Sequence, residues 1–139
     1  MKTTNVNDVF ITIKTAKKIK ELNLQVPCNS YYVEAIEPHC NNVNNRCKDV
    51  IAGEIWIDDE SAAYPDLCPG LVKTKIYPRP TQANLQKWLR DMYNIKLSIQ
   101  FLNNWKWYVD DFNFGYDVHD TYEEALEEGL FEVLNSSII

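Results

Sequence analysis

Glycine is scarce in this chain, with four residues in 139. None falls in the repeated spacing of a phosphate-cradling loop, which excludes nucleotide binding through a Walker or dinucleotide motif. Histidine is scarcer still, with two residues. His39 adjoins Cys40, but sequence neighbours rarely aim their side chains at one another and no third group orients the pair, so no Cys-His nucleophile is read here. His119 abuts Asp120 at a helix start and reads as the neighbour of a cap rather than as a general base. Close cysteine pairs are missing as well. Cys28, Cys40, Cys47 and Cys68, with His39, are the weak metal-ligand candidates, yet none forms the C-x-x-C pair that structural zinc sites favour. Reduced thiols are expected instead, with no metal and no cofactor.

Long apolar runs are also absent. No stretch approaches the ~20 residues needed to cross a bilayer, and Met1 to Asp8 is polar, without the apolar core of a signal peptide. The expectation is a cytoplasmic protein that does not enter membranes, in which disulfides are disfavoured. A calcium loop fails on position: in Asp111-x-Asn113-x-Gly115-x-Asp117 the glycine is one place early and Tyr122 stands where a glutamate belongs. Asp58-Asp59-Glu60 reads as a solvated strand end.

Positive charge is missing from one end. Residues 105–139 hold Lys106 alone against nine carboxylates, whereas residues 1–27 hold five lysines against Asp8 and Glu21. With a net charge of −6, the chain gains little from phosphate counterion release, and direct nucleic-acid binding is not expected. Lys14, Lys17, Lys18 and Lys20 read as the wet face of a short helix.

What is present describes a folded domain. Hydrophobic residues make up 45% of the chain, with four tryptophans, which argues against disorder, and the length suits one domain spanning 1–139. Pro80-Thr81 opens a helix over 82–93, on which Leu85, Trp88, Leu89 and Met92 recur at helical spacing. The period then changes to two. Ile95, Leu97, Ile99 and Phe101, then Trp105, Trp107 and Val109, then Phe112, Phe114, Tyr116 and Val118 predict a three-stranded meander, turning at Asn103-Asn104 and slipping phase at Asp110-Asp111. Trp105 and Trp107 are expected in the core, and Tyr108 on the opposite, partly exposed face. Thr121-x-x-Glu124 is a capping box for a helix over 121–134. Its apolar stripe is Tyr122, Ala125, Leu126, Gly129, Leu130, Val133 and Leu134; Glu123, Glu124, Glu127, Glu128 and Glu132 form the other side.

Earlier in the chain, Val9 to Ile13 reads as a short strand or lead-in. Thr15 is expected to cap a helix carrying Ala16, Ile19 and Leu22, which Val26-Pro27 ends. Strands are expected at Tyr31–Ile36, Val50–Asp58 and Val72–Ile76, separated by loops at 37–49, rich in asparagine, and 58–70.

Several of these segments carry a resemblance. Ala16-Lys17-Lys18-Ile19-Lys20-Glu21-Leu22, Pro27-Cys28, Tyr31-Tyr32, Pro80-Thr81 ahead of Trp88-Leu89-Arg90, and Tyr122-Glu123-Glu124-Ala125 resemble small proteins of gut Bacteroidales phages and prophages. The resemblance spans nearly the whole chain outside Glu37 to Leu71. It brings no activity or catalytic residue with it. It implies a phage or prophage accessory protein, in the bacterial cytoplasm or packed with a virion.

The fold expected is α+β: one antiparallel or mixed sheet of five to six strands, with two to three helices packed on one face. The helices over 82–93 and 121–134 should both cover the meander. The function expected is a non-enzymatic protein-interaction module in a host-takeover, anti-defence or minor virion role. Its contact residues would be Asn41, Asn42, Asn44, Asn45, Tyr108, Glu124, Glu127 and Glu128. Two other classes compete: an acidic nucleic-acid mimic acting on nucleic-acid machinery, and a metal-dependent domain using the Cys and His residues of 28–68.

Overall fold

A computed structural model describes residues 9–36, 53–59, 74–109 and 114–136. Within them the chain is α+β, with helices α1 (Ile13–Glu21), α2 (Gln82–Tyr93) and α3 (Tyr122–Asn135). The strands are β1 (Ser30–Ala35), β2 (Ile55–Asp59), β3 (Thr74–Pro78), β4 (Leu97–Leu102), β5 (Asn104–Val109) and β6 (Phe114–His119). They do not form the single expected sheet. They divide into two antiparallel three-stranded sheets, ordered β2-β1-β3 and β4-β5-β6. Helices account for the division. α1 packs on both β3 and α3, while α3 packs on all three strands of the second sheet. Helical layers therefore lie between the sheets, where a single sheet would have left one face for them all.

α1 begins earlier than its sequence suggests. Thr12, in extended backbone, is its N-cap, and Thr15 is a fully buried residue inside the helix. It also ends well before Pro27. Asn23 takes the left-handed conformation at φ 55°, and its N–H donates to the Lys20 carbonyl, closing the last turn. Ahead of α1, Phe10 makes a single antiparallel bridge to Thr81 rather than a strand.

α2 and α3 follow their signals closely. Thr81 Oγ1 accepts from the Asn84 N–H, and Thr121 Oγ1 from the Glu124 N–H, each at 3.1 Å. Asn94 ends α2 in the left-handed conformation, its N–H turned back to Arg90. α3 alone packs broadly on the meander; α2 lies against α3, and its Gln86 Nε2 donates to the Leu97 carbonyl at 2.8 Å. The β4–β5 turn is made by Asn103 at φ 66°. The β5–β6 ladder is irregular between Lys106, opposite Val118, and Tyr108, opposite Gly115, so the phase slip lies within the ladder. Asp110 and Asp111 lie outside the described residues.

The core is one cluster drawn from every layer. Ile11, Ile19, Leu85, Leu89, Leu97, Trp107, Leu126, Leu130 and Leu134 are buried members, and Tyr77 brings in the first sheet. Gly129 sets how closely α3 approaches its sheet. A Cβ there would stand 2.8 Å from Leu97 Cδ1 and 3.1 Å from Trp107 Cβ. The missing side chain is a packing requirement, since the position is helical and any larger residue must displace its neighbours.

Candidate functional site

Three surroundings bring polar or aromatic chemistry together, and each has to be separated from ordinary structural work. The first is centred on Glu127. Its Oε2 accepts the Thr12 N–H at 3.1 Å, the Thr12 hydroxyl at 2.9 Å and the buried Thr15 hydroxyl. Its Oε1 accepts from Gln82 Nε2 at 3.1 Å, and that same amide nitrogen donates to the Glu123 carbonyl. A carboxylate on α3 thus closes the N-terminus of α1 and holds the first residue of α2. Charge-assisted bonds of this kind are stronger than neutral ones and tie three helices at one point. Glu127, expected on an open acidic face, is spent inside the fold. No local sequence signal marks this role, because its partners lie 45 to 115 residues away.

The rest of that face is also less open than expected. Glu128 Oε2 lies 2.9 Å from His119 Nε2, so the histidine has a carboxylate partner across the sheet–helix boundary. Glu124 is exposed, as expected, and Tyr108 is half-buried on the side of β5 away from Trp107. The four lysines of α1 are engaged rather than simply wet. Lys14 lies over the Phe131 ring at 3.9 Å, Lys17 pairs with Glu34 at 3.2 Å, Lys18 with Glu21 at 3.3 Å, and Lys20 donates to the Ile76 carbonyl at 2.8 Å.

The second surrounding is a cleft of about 370 Å³ between the segment after α1 and the edge of β3, lined among others by Lys20, Leu24, Cys28, Tyr31 and Ile76. Cys28 is a half-buried free thiol. The nearby Cys28 sulfur, followed by burial, pushes the Tyr31 phenol above its usual value, so this hydroxyl is a donor and not a base near neutrality. It donates weakly to the Cys28 carbonyl, at 3.5 Å. The cleft can receive a small group, but it holds no base aimed at the thiol among the described residues. His39, Cys40, Cys47 and Cys68, and likewise Asn41, Asn42, Asn44 and Asn45, lie outside the described residues. Among those described, no group of three or more His, Cys, Asp or Glu could hold a metal ion. No helix among them is long and apolar enough to cross a membrane.

The third surrounding is aromatic. Phe101 and Trp105 face each other across the β4–β5 ladder, rings 4.9 Å apart and tilted by 48°. Tyr122, the first residue of α3, meets Trp105 edge-on at 5.6 Å. The three rings form a row beside the β4–β5 turn, at the first turn of α3. Phe101 is 59% exposed and Tyr122 39%. Trp105, expected in the core, is half-buried and stands outside the core cluster; Trp107, two residues on, is buried. α3 begins at Tyr122, whose ring meets Trp105 edge-on, so Trp105 stands at the start of the helix while Trp107 packs against it at Gly129. The pairing itself is legible, since Phe101 and Trp105 sit symmetrically about the turn at Asn103 and must oppose one another.

No family model matches the chain, and neither a curated protein nor a solved structure is significantly similar to it.

Proposed function

We propose that the protein is a non-enzymatic protein-interaction module whose contact surface is the Phe101–Trp105–Tyr122 row. The supporting observation is the exposure of two large aromatic residues that pack with Trp105 into one cluster beside the β4–β5 turn. Aromatic residues bury much surface for little lost side-chain freedom, which is why they dominate the energetic centres of protein interfaces. A phage or prophage accessory role, in host takeover, defence evasion or a minor virion component, is the setting that the sequence resemblance implies. The acidic-mimic reading gains less support, since Glu127 and Glu128 are engaged within the fold.

The test is affinity capture from host lysate with the tagged chain and its Phe101→Ala variant, which should fold because the ring is largely exposed. The expected result is a stoichiometric partner held by the parent protein and depleted at least fivefold by the variant. A partner retained equally by both would remove the aromatic row from the reading. Capture of nothing, from infected or uninfected cells, would overturn the module itself.

A further inference from the structure

Resting on that reading, we infer that the aromatic row receives a cationic segment of its partner, an arginine- or lysine-bearing peptide stretch. The rings carry the inference, and the charge around them selects the occupant. An aromatic face attracts a cation within about 6 Å of its centre, more strongly where water is excluded. This chain already uses that contact twice at close range: Arg79 lies 3.7 Å from the centre of the Phe10 ring, and Lys14 lies 3.9 Å from that of Phe131. Among the described residues, no cation covers Phe101, Trp105 or Tyr122.

Among the described residues, His119 stands opposite Trp105 across the β5–β6 ladder but is paired with Glu128, and the other charges nearest Tyr122 in sequence are acidic. Asp120, Glu123 and Glu124 fall within two residues of Tyr122, and Asp120 and Glu124 are exposed. Lys106 adjoins Trp105 in sequence, but successive residues of a strand point to opposite faces, so its ammonium is carried away from the row. The N-terminus of α3 would by itself favour an anion, yet its first turn already holds Glu123 and Glu124. Phosphate groups of a nucleic acid would meet these carboxylates, which disfavours base stacking on the same rings. A second copy would bring the same acidic rim, on a chain of net charge −6, into contact with itself. A basic partner segment is the occupant that satisfies both the rings and the rim.

The experiment follows the Trp105 indole N–H signal by NMR in the full chain, titrated with blocked peptides of equal length. The peptides are arginine-rich, lysine-rich, uncharged and glutamate-rich, and a thymidine oligonucleotide is added as a further probe. The expected result is a saturable shift with the two basic peptides, arginine the tighter, and none with the others. Phe101→Ala should weaken the basic peptides about fivefold or more, and Asp120→Asn with Glu124→Gln about threefold, the second pair leaving the rings intact. Equal binding of uncharged and basic peptides would overturn the cationic assignment while leaving the interaction surface in place. So would preferential binding of the oligonucleotide. A Trp105 signal that no peptide moves, but that depends on protein concentration, would assign the row to self-association instead. A signal unmoved by any of these probes would overturn the cationic segment, and lysate capture then decides separately whether the module reading survives.

Discussion

The two sheets have the same number of strands and are both antiparallel, one with β1 at its centre and the other a sequential meander, but they are held by different forces. The second sheet is sealed by an apolar helix: Leu97, Trp107 and Val109 are buried under α3, which approaches closely at Gly129. The first sheet leaves Ile55, Ile57 and Ile76 exposed at 40%, 38% and 49%. Individual polar contacts tie it to the rest of the fold. Tyr32 donates to the Ile11 carbonyl, Lys20 donates to the Ile76 carbonyl and Lys17 donates to Glu34, while Tyr77 donates to Glu34 within the sheet, joining β3 to β1. Apolar burial scales with area and is forgiving of direction, whereas each polar tie contributes only about 1 kcal/mol net and depends on geometry. The second sheet should therefore share the global stability of the core, and the first should open at lower cost.

The largest break in this contrast is Leu130→Ala. Leu130 is fully buried in the core cluster, and its truncation leaves a cavity between α3 and its surroundings. A loss of about 4 kcal/mol is expected in urea unfolding, with both sheets lost together. Glu127→Ala acts on the joint between the halves. Removing the carboxylate strands the buried Thr15 hydroxyl and uncaps α1, so about 2–3 kcal/mol should be lost. Its hydrogen-exchange signature should differ from that of the cavity variant: faster exchange in α1 and β1–β3, with β4–β6 least affected. Uniform acceleration would show that Glu127 supports the core as a whole.

What could be read from the residues follows the same division. α2, the meander and α3 are local, periodic and capped by threonines whose partners lie three residues on, so their signals are complete within a short window. The start of α1 is not. Thr12 has no side-chain cap bond of its own, and its amide is satisfied by a glutamate from the other end of the chain. Periodicity placed the cap at Thr15 because Thr15 resembles one, while tertiary contact turned it into a buried helix residue. The split into two sheets was hidden for a related reason. Strand periodicity gives the faces of a strand but not which strands share a ladder, and α1 intervenes between them in space. For the candidate site, the Phe101–Trp105 pairing was legible from the turn, but the exposure of Trp105 depended on where α3 begins to cover the sheet.

The smallest perturbation expected at neutral pH is Tyr77→Phe, which removes one polar bond inside the first sheet, between β3 and β1, while keeping the ring. Tyr77 is buried against the core and donates to Glu34 Oε1 at 2.8 Å. Burial, aided by that hydrogen bond and the Glu34 charge, pushes the phenol up to about 12 from 10.0. The same bond, followed by the Lys17 contact, holds the Glu34 carboxyl below its ordinary value. The two shifts act at opposite ends of the pH range. For Glu34, the folded form is favoured above the unfolded carboxyl's value near 4.5, and that contribution is lost as pH falls through the lower folded value. For Tyr77, the unfolded phenol ionises near 10 while the folded one stays protonated, so stability present below pH 10 is lost as pH rises towards 12. A gap of that size corresponds to a loss of about 2–3 kcal/mol across the alkaline window. At pH 7 the variant should be less stable by about 1–2 kcal/mol, the worth of a hydrogen bond to a charged acceptor. Between pH 10 and 12 its disadvantage should close, because it has no phenol to ionise. If both proteins instead lose stability in parallel over that window, the alkaline loss does not come from the Tyr77 phenol, and the β1–β3 contact rests on the ladder and the buried ring.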